Sequence, residues 1–418
     1  MLTTIVLIYT IFMLISIYVS VMQVGFVNIA KKGRATLLSQ NDFIKAANYS
    51  VAKEKLNITS TLVDYIAFIF WIGFGIKFLE SSINFENEAI LNIAIVLSFL
   101  VAGSILSLPF SYYEKFVLDE KFGFNKSTLR QWIKDLFTSF IATIVFGSLV
   151  VWGVYMIISN FALWWLWSFL FIFGVVILIN MLYPTFRSIF FDKLTPLLNK
   201  DLDLQIKDLM DKTGFVSAGV FVSDASKRDA RLNAYFGGLG KSKRVVLYDT
   251  LIEKLSTKEL LAVLGHELGH FAHGDLYKNI AMIGAMLLAM FGLFGNLPDL
   301  LYSEIGITKS PYSIMILLLL FMPVLGFLMM PIMGVLSRHN EYAADKMGSE
   351  LGGHGGAIEL ANALKKLVSE NKSFPLSHPI YIFFHYTHPP VLERLRELGV
   401  ALDEDDNSAL GMSCQADI

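Results

Sequence analysis

The chain predicts a mainly α-helical, multi-pass membrane protein with a polar unit attached to its second half. Three observations carry that prediction. Hydrophobic residues make up 55% of the 418 positions and charged residues only 17%, whereas about a quarter of a soluble domain is charged. Seven apolar stretches are long enough to cross a bilayer. All eight histidines lie at or beyond position 266, so a long His-free membrane part precedes a shorter His-bearing part. The net charge of −2 offers no electrostatic footprint for nucleic acid. One cysteine, Cys414, excludes an intrachain disulfide and a Cys-rich zinc site.

A spanning helix needs about 20 mostly apolar residues. The first span is read at about 2–27, too long and too poor in basic residues for a cleaved signal peptide. Others fall at about 61–78 and 89–110. Positions 136–186 hold no charge at all, enough for two spans with Ser159 and Asn160 at the turn. Trp164, Trp165 and Trp167 follow, where an interfacial aromatic belt would place them. Two more spans lie at about 279–297 and 313–336, making seven.

Lys31, Lys32, Arg34, Lys45, Lys53 and Lys55 follow the first span, and Lys115, Lys121, Lys126, Arg130 and Lys134 follow the third. The loop after the second span is acidic. The positive-inside rule then puts the N-terminus outside and the polar segments in the cytoplasm. The expected organisation is a five-span membrane domain at 1–186, a cytoplasmic segment at 187–278 and two further spans at 279–336. A second cytoplasmic segment at 337–402 and a disordered tail at 403–418 complete it.

Ser256 followed by Glu259 reads as a capping box, opening a helix that carries His266-Glu267-Leu268-Gly269-His270. Histidines at i and i+4 share a helix face and can both reach one tetrahedral Zn²⁺. A water bound to zinc is acidified toward neutrality. Glu267 stands beside the first ligand, where it can take that water's proton during attack on a peptide carbonyl. The bland alternative is a helix that matches the pattern without binding metal.

A catalytic zinc takes a third protein ligand. Glu341 is the leading candidate, with Asp345 one turn on to fix a ligating imidazole by hydrogen bond. His339 is the rival ligand, and a solvated acidic face is the alternative to both. His388, made rigid by Pro389 and Pro390, can stabilise a developing oxyanion, or is an ordinary loop histidine. Residues 233–237 and 244–248 read as a short β-hairpin beside the zinc helix. Its edge can accept an extended peptide by strand addition, or simply packs on the helix.

These residues together resemble the integral-membrane zinc CAAX prenyl proteases of type I. The likeness rests on Leu-Pro-Phe at 108–110, the stretches 116–125 and 266–270, Asn-Ala-Tyr at 233–235, Asn-Glu-Tyr-Ala-Ala-Asp at 340–345, and the run from His385 to Leu395. The resemblance implies seven helices around a large chamber, with a zincin-like site at its cytoplasmic end. It implies cleavage after a prenylated cysteine near a substrate's C-terminus. Carried over by position, His266, His270 and Glu341 are zinc ligands, Glu267 and His388 are catalytic, and Asp345 supports a ligand. Asn233 and Arg394 bind or support the substrate.

The chain is compact and ends in Cys-Gln-Ala-Asp-Ile, whereas eukaryotic members carry longer insertions and often a retrieval tail. That departure points to a bacterial inner membrane rather than the endoplasmic reticulum. It also leaves room for a different natural substrate, such as damaged membrane proteins. Peptide or protein substrates and membrane lipid are the expected partners. The reading from another class, a metal-ion transporter, sits poorly with spans that carry almost no charge, since transporters keep ionisable groups near mid-membrane.

Overall fold

The structure, a computed structural model, describes residues 1–190, 193–217, 219–237, 243–402 and 406. Apart from Asp406, the tail 403–418 with Cys414 lies outside the described residues.

Among the described residues, seven helices are long and apolar enough to cross a membrane: Leu2–Ala30, Gln40–Ser82, Glu88–Phe122, Leu129–Asn160, Trp164–Leu182, Asp275–Gly295 and Pro311–Leu351. The fourth helix runs on through Ser159 and Asn160, and the turn to the fifth falls at 161–163, just beyond the two residues the sequence offered for it. Several begin at residues whose side chains accept from the first-turn amides: Ser39 from Asp42, Asn87 from Ile90, and Thr128 from Gln131. Each such cap satisfies a donor that the helix start leaves unpaired. Two spans contain a π-helical stretch, at Trp71–Gly75 and Glu114–Asp119, which hydropathy does not reveal.

The last span differs from its sequence reading in extent. Pro311–Leu351 is one continuous 41-residue helix, about 60 Å long at 1.5 Å per residue. The hydrocarbon core takes about half of that. The expected boundary at 336/337 therefore falls inside a single rod, which holds Glu341 and Asp345 in fixed register with the span.

The membrane core centres on Tyr9, Phe68 and Phe321, with the Tyr9 and Phe68 rings stacked at 3.8 Å. Packing is uneven. Few residues in the apolar windows of the fourth and fifth spans are fully buried, 11% and 6% of them, although Trp164, Trp165, Phe171 and Phe173 pack against the membrane core.

The polar unit holds a four-stranded sheet in the order β1-β2-β4-β3: Leu194–Pro196, Val220–Ser223, Arg244–Tyr248 and Ala234–Gly237. β2 and β4 run parallel, and the β3/β4 pair is the expected hairpin. β1 and β2 went unread because strands of three and four residues carry too little alternation to register. The buried side of this unit joins Val245 and Leu247 of β4 to Leu260, Leu264 and Leu268 of the His266 helix. The helix Thr257–Ala272 opens on the expected capping box between Ser256 and Glu259.

A polar strut ties the unit to the membrane helices. Asp119 accepts from Tyr49 Oη at 2.8 Å and from Arg231 Nη2 at 2.8 Å. Asn125 forms an isolated bridge with Asp229. Leu232, immediately before Asn233, is clamped on both backbone groups by Asn371: its N–H donates to Oδ1 at 2.8 Å and its carbonyl accepts from Nδ2 at 3.2 Å.

Candidate metal centre and active site

His266 and His270 are one turn apart on Thr257–Ala272, and Glu341 enters from the long helix. Ligand atoms of the three all lie within 4.8 Å of one another. Two small residues on each helix allow the approach. A Cβ added at Gly269 would stand 2.9 Å from the Ala344 Cα, and one at Gly348 would stand 2.7 Å from the His266 nitrogen. With Gly265 facing Gly348 as well, the backbones pass close enough for a short carboxylate to reach the imidazoles.

The hydrogen bonds fix which nitrogens face inward. His266 Nδ1 lies 2.8 Å from Asp345 Oδ1 and His270 Nδ1 lies 2.9 Å from Asp275 Oδ2. Each carboxylate favours a proton on Nδ1 and turns the Nε2 lone pair toward the other ligands. His266 Nε2 and His270 Nε2 are 3.2 Å apart. Glu341 Oε1 is 3.2 Å from His270 Nε2, and Oε2 is 3.5 Å from His266 Nε2. Ligands about 2.0–2.1 Å from a tetrahedral zinc stand about 3.3 Å from one another, so the spacing fits such an ion. Glu341 is 3% exposed and its Oε2 makes no hydrogen bond, a cost that a cation would remove. Burial works to lower the His270 pKa, but the hydrogen-bonded carboxylates of Glu341 and Asp275 outweigh it and hold the metal-free group at about 9. Positive charge is what this cluster calls for.

The structure brings the other sequence-predicted residues to the same place. Glu267 lines a cavity of about 350 Å³ together with His270, Glu341 and His388. It also lines a second of about 240 Å³ with Asn233 and His266. His388 is exposed, with Nε2 3.3 Å from Glu341 Oε1. Asn233 is exposed at the start of the edge strand β3. Arg394 is 8% exposed, and its guanidinium is taken up by Asp345 in a bidentate pair at 2.7 and 2.6 Å. Its Nη1 lies 3.5 Å from Glu341 Oε2. His339, the rival ligand, is exposed, as are His273 and His354.

Sequence reasoning missed Asp275. It follows Gly274, whose φ of +69° breaks the helix after His270, so Asp275 shares no helical face with its partner. Lys278 in turn donates to Asp275 Oδ1 at 2.8 Å. A carboxylate shortly after a glycine that ends a ligand helix is the only signal available.

Fold and site together define a metallopeptidase built into a helical membrane protein. Peptidase family M48 matches residues 196–401, and the CAAX prenyl protease N-terminal region, with five membrane helices, matches residues 29–193. CAAX prenyl protease 1 homolog of Dictyostelium discoideum is 33% identical over 379 residues, 85% of this chain and 86% of the relative. CAAX prenyl protease 1 of Saccharomyces cerevisiae is 33% identical over 404 residues, 88% of each. The crystal structure of S. mikatae Ste24p matches with a TM-score of 0.83 and 30% identity, covering 94% of this chain and 98% of that one. The chain belongs to the integral-membrane CAAX prenyl protease family of M48 metallopeptidases. It is a metalloendopeptidase, and its family implies a metal ion.

Proposed function

We propose that this protein is a zinc-dependent endopeptidase that cuts near the C-terminus of prenylated CaaX-type substrates. The observation that carries the reading is the convergence of His266, His270 and Glu341 at tetrahedral spacing, with Glu267 on the same cavity wall. His266, His270 and Glu341 hold the ion, which when bound supplies Lewis-acid chemistry to a water and to the scissile carbonyl. Glu267 takes a proton from the attacking water and passes it to the leaving amine. His388 donates to the oxyanion that develops on the scissile carbonyl. Asp345 and Asp275 keep the two imidazoles in the ligating tautomer. Arg394 neutralises Asp345 and steadies the wall from which His388 projects. Asn233, at the start of the edge strand β3, holds the backbone of an extended substrate.

The substrate class follows from the family and from the membrane setting. A chamber enclosed by the seven spans, as the family resemblance implies, would let a prenyl chain meet apolar walls. In this reading the site faces the cytoplasm, as the Lys and Arg distribution argues. The experiment compares a farnesylated CaaX peptide with the same peptide unmodified, using protein purified in detergent. Cleavage of the farnesylated form with a kcat/KM at least about tenfold higher supports the assignment. Since tenfold is about 1.4 kcal/mol, even part of a buried isoprenoid chain exceeds it. Equal cleavage of both forms would sink the prenyl assignment and leave a general membrane peptidase.

A further inference from the structure

The stretch around His388 is strapped to the long helix on both sides of Glu341. On one side, Asp345 holds Arg394 of the helix Val391–Glu397, which starts just after Pro390. On the other side stands Arg338, less than one turn before Glu341. Its Nη1 donates to the carbonyl of Tyr386 at 2.6 Å and to the carbonyl of Ile382 at 3.3 Å. Those carbonyls belong to the last turn and cap of the helix Pro379–His385; the Ile382 carbonyl also accepts from the Tyr386 N–H at 3.1 Å, while Tyr386 is the cap residue, past the last carbonyl that the helix itself can pair. Gly334, one turn further back, completes the niche. A Cβ added there would stand 2.8 Å from the Tyr386 oxygen and 2.9 Å from Arg338 Nη1.

From these contacts we infer that Arg338 is a positioning residue for the reaction. By gripping the Tyr386 carbonyl in the niche left by Gly334, it fixes His388, two residues on, in register with Glu341. The inference rests on the oxyanion role given to His388 above. The long helix thereby carries the metal ligand and also sets the distance from it to His388. An exposed histidine on a loop held at one end alone would swing. Held at both ends, with Pro389 and Pro390 limiting the backbone between, it keeps one place. A displacement of about 1 Å at such a group can cost about 10²-fold in rate.

The test uses the full chain in detergent and a farnesylated CaaX peptide. The variants are Arg338→Ala, Arg338→Lys, Gly334→Ala, His388→Ala and the double variant His388→Ala/Arg338→Ala, with metal content and thermal stability measured for each. Arg338→Ala is expected to lower kcat about 10- to 100-fold with KM and metal content unchanged. Arg338→Lys, which keeps a cationic donor, recovers part of the loss. Gly334→Ala moves kcat the same way without removing any polar group, so it decides the matter should Arg338→Ala fail to fold. In the His388→Ala background, removing Arg338 costs nothing further, the non-additivity expected of residues acting as a unit. Full kcat in Arg338→Ala and Gly334→Ala beside an impaired His388→Ala overturns this inference alone, as does an additive loss in the double variant. Full activity in His388→Ala overturns the oxyanion reading and this inference with it.

Discussion

The chemistry at the centre of the site is decided by small differences in which atom of a side chain is already engaged. Asp345 and Asp275 occupy the Nδ1 side of the two histidines, which leaves both Nε2 lone pairs converging on a carboxylate. Without a cation that arrangement is costly, and the raised pKa of His270, about 9 against an ordinary 6.5, expresses the cost. The sign follows directly. In the metal-free protein the imidazolium contributes stability in full below about pH 6.5 and loses it as pH rises through about 9. A metal ion must displace that proton, so binding at pH 7.5 releases about one proton from His270. Titration calorimetry in two buffers of different ionisation heat measures the release, and none would show His270 already neutral. Asp275→Asn removes one source of the raised pKa and should weaken metal binding by about 10- to 100-fold, the usual cost of losing a carboxylate behind a ligand.

At the scale of elements, two helices make the site, and their meeting depends on residues with little or no side chain. Gly265 and Gly269 of one helix lie against Ala344 and Gly348 of the other. Such crossings of small residues bring backbones close in membrane proteins. Gly269→Val or Gly348→Val would push the helices apart, and the predicted outcome is protein that inserts into the membrane but binds less than one tenth of the wild-type metal. Metal analysis of the purified variants measures it, and full occupancy would show that the crossing tolerates bulk. Much of this was legible. The capping box at Ser256, the i, i+4 histidines and the i, i+4 acidic pair at Glu341 and Asp345 are short-range patterns, and short-range patterns survive in sequence. The seven spans were legible for the same reason. What was not legible depends on three-dimensional closure. Asp275 reaches His270 around a left-handed glycine, Asn371 clamps Leu232 from 139 positions away, and the π-helical stretches shift register inside uninterrupted apolar runs.

The whole molecule is a helical membrane body whose longest helix continues outward as part of the peptidase. A strut from Tyr49 and Asp119 to Arg231 holds the edge-strand segment against the membrane helices. The edge strand, the candidate metal ligands and the span are thus parts of one frame. The proposed orientation is checked with Cys414 replaced by serine and single cysteines introduced in turn at Asn84 and Lys207. An impermeant thiol reagent should label the first in intact cells and the second only after permeabilisation; the reverse pattern would turn the protein over. The central claim is that His266, His270 and Glu341 hold one zinc ion on which Glu267 acts as base. Its most direct test is metal content together with farnesylated-peptide cleavage for wild-type protein and Glu267→Gln. The account predicts one zinc per chain in both and a loss of about 10²-fold or more in the variant. Active protein without stoichiometric metal, or a Glu267→Gln variant that cuts as fast as wild type, would contradict it.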